Sequence, residues 1–263
     1  MTNKCSIQKG NSLELIKKLE DESIDLIVCD GPYGITPFVW DRIGSIQEYN
    51  LDLIKLLAPK LKQGGGLYLF GKIDSLDFVD YRPYLQLTNR LIWYQPSRLA
   101  QGRLRYTNNY DTINFLTKGK ANQFNLDDIR VPQLVELAHR LRCEKVPSVQ
   151  NGKFGKTKFN PLGKNPGDVW GDIKQLTYNS KELVSKEFLN TVQKPEKLIK
   201  RMILASSKIG DTVLDPFLGT GTTAVVCQQL SRNFIGFELD DNMIQLTEQR
   251  LNKINTNIES KLF

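Results

Sequence analysis

The chain has 263 residues, 40% hydrophobic and 25% charged. That is room for one large core and the composition of a globular protein, which excludes disordered and collagen-like classes. Lys and Arg exceed Asp and Glu by 36 to 29, for a formal net charge of +7. The whole excess lies in residues 90–170, where 14 basic residues face 6 acidic ones; such a segment is either a polyanion contact or a solvated face.

Four cysteines without a C-x-x-C pair and a single histidine, His139, argue against a zinc site and a histidine-dependent triad. The longest apolar runs fall short of a bilayer span, and Met1–Cys5 lacks the apolar core of a leader. No membrane association and a reducing, cytoplasmic setting are therefore expected.

In chain order, the spacing of Leu13, Ile16 and Leu19 predicts a helix over Ser12 to Leu19, and Asp25 to Cys29 reads as a buried parallel strand. A helix over Ile46 to Leu61 follows, ended by Gly64, Gly65 and Gly66, and then a strand over Leu67 to Phe70. Leu91 to Trp93 and Thr112 to Leu116 read as two strands flanking a polar, basic loop. Beyond Gly119 the pattern weakens. Val131 to Arg142 has helical spacing, with His139 on that segment read as structural, and Gly152 to Gly167 reads as an irregular basic loop. The rhythm then resumes: a helix over Glu196 to Ser206, a strand over Thr212 to Leu214, a turn and helix over Gly219 to Leu230, a strand over Asn233 to Phe237, and a helix over Asp241 to Ile254. This alternation implies a mostly parallel sheet with helices on both faces.

Two segments carry chemistry. Leu214 to Thr223 follows a strand and opens a helix, and Gly219 and Gly221 let the backbone turn sharply and approach a ligand. The next strand ends in Glu238, an acid placed to bind a ribose hydroxyl pair; a tight turn with a capping acid is the plainer alternative. A dinucleotide fingerprint would need a third glycine where Ala224 stands, and no Gly-Lys-Ser/Thr marks a phosphate loop. An adenosine cofactor without phosphates fits better, and S-adenosylmethionine meets that description.

The second segment is Asp30-Gly-Pro-Tyr33, at the end of the first buried strand. The Asp30 carboxylate and the Gly31 carbonyl can accept both protons of an exocyclic amine, drawing the nitrogen lone pair out of conjugation. Tyr33 offers a face on which an extruded base can stack. A Gly-Pro turn with a buried tyrosine is the alternative.

Together these segments resemble the amino-methylating DNA methyltransferases, which act on adenine N6 or cytosine N4. Asp30-Gly-Pro-Tyr33 is similar to their Asp/Asn/Ser-Pro-Pro-Tyr/Phe motif, Asp215-Pro-Phe-Leu-Gly-Thr-Gly221 to their cofactor motif, and Thr191-Val-Gln-Lys-Pro-Glu-Lys197 to the segment preceding it. The order of catalytic motif, basic insert and cofactor motif resembles the β group. The sequence departs from the pattern at Gly31, where the family has proline and a stiffer turn, and at Asn11, where many relatives have Asp.

The resemblance implies a permuted, seven-stranded Rossmann-like α/β sheet, with Thr212–Asp215, Asn233–Glu238, Ser6–Gln8 and Asp25–Cys29 as its first four structural strands. It divides the chain into a catalytic half (1–118), a target-recognition insert (119–187) and a cofactor-binding half (188–263). It implies S-adenosylmethionine as cofactor, lined by Asp215, Phe217, Gly219, Gly221 and Thr222, with Glu238 on the ribose, Lys194 and Pro195 closing the pocket, and Asn11 and Asp30 beside it. Asp30, Gly31, Pro32 and Tyr33 would hold the base, more readily adenine N6 than cytosine N4, and no metal is expected.

The implied partner is double-stranded DNA in the nucleoid of a prokaryote or phage-infected cell, with a homodimer and a cognate restriction endonuclease as further expectations. Arg98, Arg103, Arg105, Lys153, Lys156 and Lys158 are the candidate DNA contacts, with Tyr106, Tyr110 and Phe154 interleaved as stacking or local core residues. Competing readings are a catalytically silent DNA-binding scaffold, for which Gly31 is the best support, and a methyltransferase acting on RNA or protein.

Overall fold

The computed structural model describes residues 4–34, 41–72, 75–96, 104, 106–121, 123–133, 147–150, 153–156, 160–184 and 193–259; for 147–150, 153–156 and 255–259 this is the backbone alone. The strands are β1 (Cys5–Lys9), β2 (Ile24–Cys29), β3 (Leu61–Gly71), β4 (Gln86–Tyr94), β5 (Tyr110–Thr117), β6 (Pro147–Gln150), β7 (Lys153–Lys156), β8 (Val169–Trp170), β9 (Thr212–Asp215) and β10 (Asn233–Glu238). The helices are α1 (Ser12–Lys17), α2 (Ile46–Leu57), α3 (Leu126–Ile129), α4 (Glu196–Ser206), α5 (Thr222–Gln229) and α6 (Asp241–Glu259).

One sheet runs in the order β1-β10-β9-β2-β3-β5-β4-β8. Its strands are parallel except β5, which is antiparallel to both neighbours. The expected first four structural strands are therefore β9, β10, β1 and β2, in adjacent places.

Among the described residues the sheet has eight strands rather than seven. The eighth, β8, is two residues long and comes from the stretch without periodicity. Tertiary contacts pin it: Trp93 Nε1 donates to the Ile173 carbonyl at 2.8 Å, and the Arg201 guanidinium pairs with both oxygens of Asp172 at 2.9 and 2.5 Å. That guanidinium also lies 5.0 Å from the Trp170 ring centroid.

Alternation along β2 sends Leu26 and Val28 to one face, and Ile27 and Cys29 to the other. The first face packs against Leu198, Met202 and Ile203 of α4 and Ala224 to Cys227 of α5. The second packs against Ile16 of α1 and Leu53, Ile54 and Leu57 of α2. Both faces are covered, as a mostly parallel sheet requires. Among the described residues no helix is long and apolar enough to cross a membrane.

Two local expectations are corrected. Gly64, Gly65 and Gly66 do not end the helix; a 3₁₀ turn at Ala58–Lys60 does, and the glycines lie inside β3. A Cβ on Gly66 would stand 2.8 Å from the Phe115 ring, so close approach within the sheet, not a turn, requires glycine there. Within the expected irregular loop 152–167, β7 pairs with β6 as an antiparallel hairpin, Gln150 opposite Lys153. The intervening Asn151-Gly152 is a strong hairpin signal in sequence. Of the expected helix from 131 to 142, Val131 forms an isolated bridge with Lys164, while residues 134–142, His139 included, lie outside the described residues.

Candidate active site

β2 and β9 are neighbours in parallel register, Leu26 opposite Val213 and Ile27 opposite Leu214. Their carboxyl ends, and those of β1, β3 and β10, therefore open on one edge of the sheet, where ligands bind in folds of this class. Asp30 leaves the end of β2 and Asp215 closes β9. The two loops meet: a Cβ on Gly31 would stand 3.2 Å from the Phe217 ring.

On the β2 side, the backbone N–H groups of Tyr33 and Gly34 both donate to the buried Asp41 carboxylate at 2.7 Å. This fixes the turn that a second proline would otherwise stiffen. The Tyr33 hydroxyl donates to Asp30 Oδ1, and the Lys194 ammonium donates to Oδ2. The ammonium heads of Lys72 and Lys194 lie 5.0 and 5.6 Å from the Tyr33 ring centroid. Withdrawal of the phenol from water, together with the charge of Asp30, pushes the Tyr33 pKa well above its ordinary value. Tyr33 is thus a neutral donor and a flat surface at neutral pH.

On the β9 side, the buried Asp215 carboxylate accepts the Phe217 N–H at 3.0 Å and the Thr223 hydroxyl at 2.6 Å. Burial raises its pKa to about 7, against the lowering effect of these bonds and with Asp30 and Glu238 adding like charge. Gly221 caps α5 at φ +77°, where a Cβ would collide with Thr247 of α6 at 2.3 Å. Glu238 accepts the Gly219 N–H at 2.8 Å through Oε2, and the Leu239 and Asp240 N–H groups through Oε1. One carboxylate thereby ties the glycine turn to the end of β10. Thr222 is buried, its hydroxyl 3.3 Å from the Arg250 guanidinium.

The structure thus brings Asp30, Gly31, Pro32, Tyr33, Lys194, Pro195, Asp215, Phe217, Gly219, Gly221, Thr222 and Glu238 to one edge of the sheet. Asn11 stands at the end of β1, but its side chain accepts the Leu13 N–H at 2.9 Å and caps α1, which accounts for its polarity. Arg98, Arg103, Arg105 and Lys158 lie outside the described residues, and Lys153 and Lys156 are placed by their backbone in β7. Tyr106 is fully exposed, and Tyr110 pairs with Tyr94 across β5 and β4 at the same edge of the sheet.

Sequence reasoning missed Asp41, Lys72 and the buried Gln95–Asp111 pair, joined at 2.8 Å beside this edge. None belongs to a motif. Asp111 adds to the negative field at Tyr33.

A family model described as a DNA methylase (N6_N4_Mtase) matches residues 24–249. The chain is 32% identical over 261 residues to the DNA adenine methyltransferase YhdJ of Escherichia coli K12, covering 94% of this chain and 82% of that one. Among solved structures it is similar to the M1.HpyAVI–SAM complex, with a TM-score of 0.59, 19% identity, and 94% and 99% of the two chains covered. It is also similar to the cytosine-N4-specific PvuII DNA methyltransferase, with a TM-score of 0.62, 17% identity, and 96% and 94% covered.

Proposed function

Since the chain belongs to the N6/N4 DNA methylase family, we propose that it is a site-specific, S-adenosylmethionine-dependent methyltransferase acting on adenine N6 in duplex DNA, with the target base rotated out of the stack. The observation that carries this reading is the close approach of the two loops, where a Cβ on Gly31 would stand 3.2 Å from the Phe217 ring. It joins the segment suited to an amine with the segment suited to a nucleoside.

The edge where the β2 and β9 loops meet suits a cationic cofactor. Asp215 and Glu238 place two carboxylates there, Asp30 being paired with Lys194, and the buried Asp215 gains from a positive charge nearby. Asp215, Phe217, Gly219, Gly221 and Thr222 would line it, Glu238 would take the ribose hydroxyls, and Lys194, Pro195 and Asn11 would border it. When bound, S-adenosylmethionine supplies an electrophilic methyl group.

The chain's own part is to hold the nucleophile. Asp30 and the Gly31 carbonyl accept hydrogen bonds from the two amine protons and draw the lone pair out of conjugation with the ring. Asp30 also stabilises the positive charge that grows on the nitrogen. Tyr33 and Pro32 flank the base. The exposed Tyr106 and Tyr110, with Arg98, Arg103, Arg105, Lys153, Lys156 and Lys158, would meet the duplex. A homodimer and a companion restriction endonuclease belong to the same proposal; sedimentation and a search for cleavage at the same site check them.

The two acceptors serve any exocyclic amine, so cytosine N4 is the second reading, favoured by the likeness to the PvuII enzyme. Single-molecule sequencing of DNA from cells expressing the protein tests both. N6-methyladenine at one recurrent sequence is the expected result. N4-methylcytosine there establishes the second reading, and unmodified DNA refutes both.

A further inference from the structure

Lys194 is more deeply buried than the group it pairs with: its side chain is 4% exposed, that of Asp30 22%. Its ammonium donates to Asp30 Oδ2, stands 3.5 Å from the Tyr33 hydroxyl oxygen, and lies 5.2 Å from the Phe70 ring centroid and 5.6 Å from that of Tyr33. The other carboxylate oxygen, Oδ1, accepts the Tyr33 hydroxyl. A nitrogen cation therefore already occupies the surroundings that the reaction needs for an exocyclic amine, against Asp30 and beside the tyrosine ring. The target nitrogen becomes positive as it is methylated, so the ammonium resembles the reacting group in charge as well as in place. A carboxylate neutralised by an ammonium is a poorer acceptor for a second nitrogen.

Resting on the function proposed above, we infer that Lys194 is a positioning residue acting through Asp30: it occupies the target-amine seat and yields it when its ammonium moves to another anion. A lysine head is a compact charge on a flexible stem, suited to such an exchange. The amino-acid carboxylate of S-adenosylmethionine is the anion that the chemistry offers, because it lies a short carbon chain from the sulfonium whose methyl must face the amine. Cofactor binding and base capture are then coupled, and by linkage each strengthens the other.

The test uses the full chain and a duplex carrying the sequence found by sequencing, with 2-aminopurine at the target position (pyrrolocytosine if the target is cytosine). Fluorescence reports the base leaving the stack. With the wild type, S-adenosylhomocysteine tightens capture about tenfold, equivalent to ~1.4 kcal/mol. 5′-Methylthioadenosine, which lacks the carboxylate, leaves it unchanged. Lys194→Met captures the base without cofactor as tightly as the wild type does with S-adenosylhomocysteine, and gains nothing further from it. Lys194→Arg retains the charge and the coupling.

Equal tightening of the wild type by both nucleosides overturns the inference. So does a methionine variant that captures the base more weakly or keeps the tenfold response. The two wild-type arms decide the matter if the methionine variant does not fold. Absence of DNA methylation by the wild type is a separate outcome, which refutes the function and is measured first.

Discussion

Replacing Gly221 by alanine perturbs the glycine turn in two ways that the structure separates. The backbone there has φ +77°, a left-handed conformation that costs a residue with a Cβ about 1–2 kcal/mol. The new Cβ would also stand 2.3 and 2.4 Å from the Cγ2 and Oγ1 of the fully buried Thr247, and forcing an atom into a packed site costs about 1–3 kcal/mol more. The sum is about 2–5 kcal/mol. Gly219 is the internal control: its φ of +52° carries the first cost, but the nearest atom to a new Cβ is the Phe217 carbonyl oxygen at 4.0 Å.

Gly219→Ala should therefore lose about 1–2 kcal/mol and Gly221→Ala roughly twice that or more. Urea unfolding with a shared slope, or melting at roughly 2–4 °C per kcal/mol, reads the difference. Thr247→Ala in the Gly221→Ala background removes the two nearest atoms and should return about 1 kcal/mol in a double-mutant cycle. Equal losses at 219 and 221, or a cycle without coupling, would refute the packing of the cofactor turn against α6.

Asp215 gives a pH prediction. Its native pKa, raised by burial to about 7, lies above the ordinary 3.8. Its contribution to stability is therefore present below about pH 4 and is lost as pH rises through about 7. Asp215→Asn removes that loss, so its melting temperature should gain on the wild type between pH 4 and 7; a constant offset contradicts the burial argument. Asp172 behaves in the opposite sense. The Arg201 hydrogen bonds hold its pKa down to about 2, so its contribution is present above pH 4 and lost as pH falls toward 2. Arg201→Met should cost about 1–2 kcal/mol at pH 7, Asp172 being partly solvated, and less at pH 2; an equal cost at both is the contrary result. Gly31→Ala should cost about 1 kcal/mol, relieved by Phe217→Leu in a double-mutant cycle, because the ring must give way. If six phosphates are contacted, log affinity should fall with log salt at a slope of roughly −5; a flat salt response removes the basic contacts from the account.

Local patterns carried much of this in the sequence. The apolar spacing of Leu198, Ile199, Ile203 and Leu204 gives α4 its observed bounds, Glu196–Ser206. The neighbouring places of β9 and β2 follow from the family's strand order, and with them the meeting of the Asp30 and Asp215 loops. What escaped is non-local or too short to show a period. The Lys194–Asp30 pair spans 164 positions, and nothing in either motif announces it. Asp41 follows no pattern, yet it accepts two backbone N–H groups of the turn that follows Asp30. The two residues of β8 have no period to read and are held by Trp93 and Arg201 from elsewhere. Gly64 to Gly66 mislead because glycine marks a turn in sequence but here allows Phe115 to pack against β3.

Asp30→Ala, assayed in one preparation for methyl transfer to DNA and by calorimetry for S-adenosylhomocysteine binding, tests the convergence of the two loops most directly. Transfer should fall about a hundredfold or more while the nucleoside still binds, since in the proposed function the carboxylate serves the amine and the β9 turn serves the cofactor. Undiminished transfer by this variant would contradict the account.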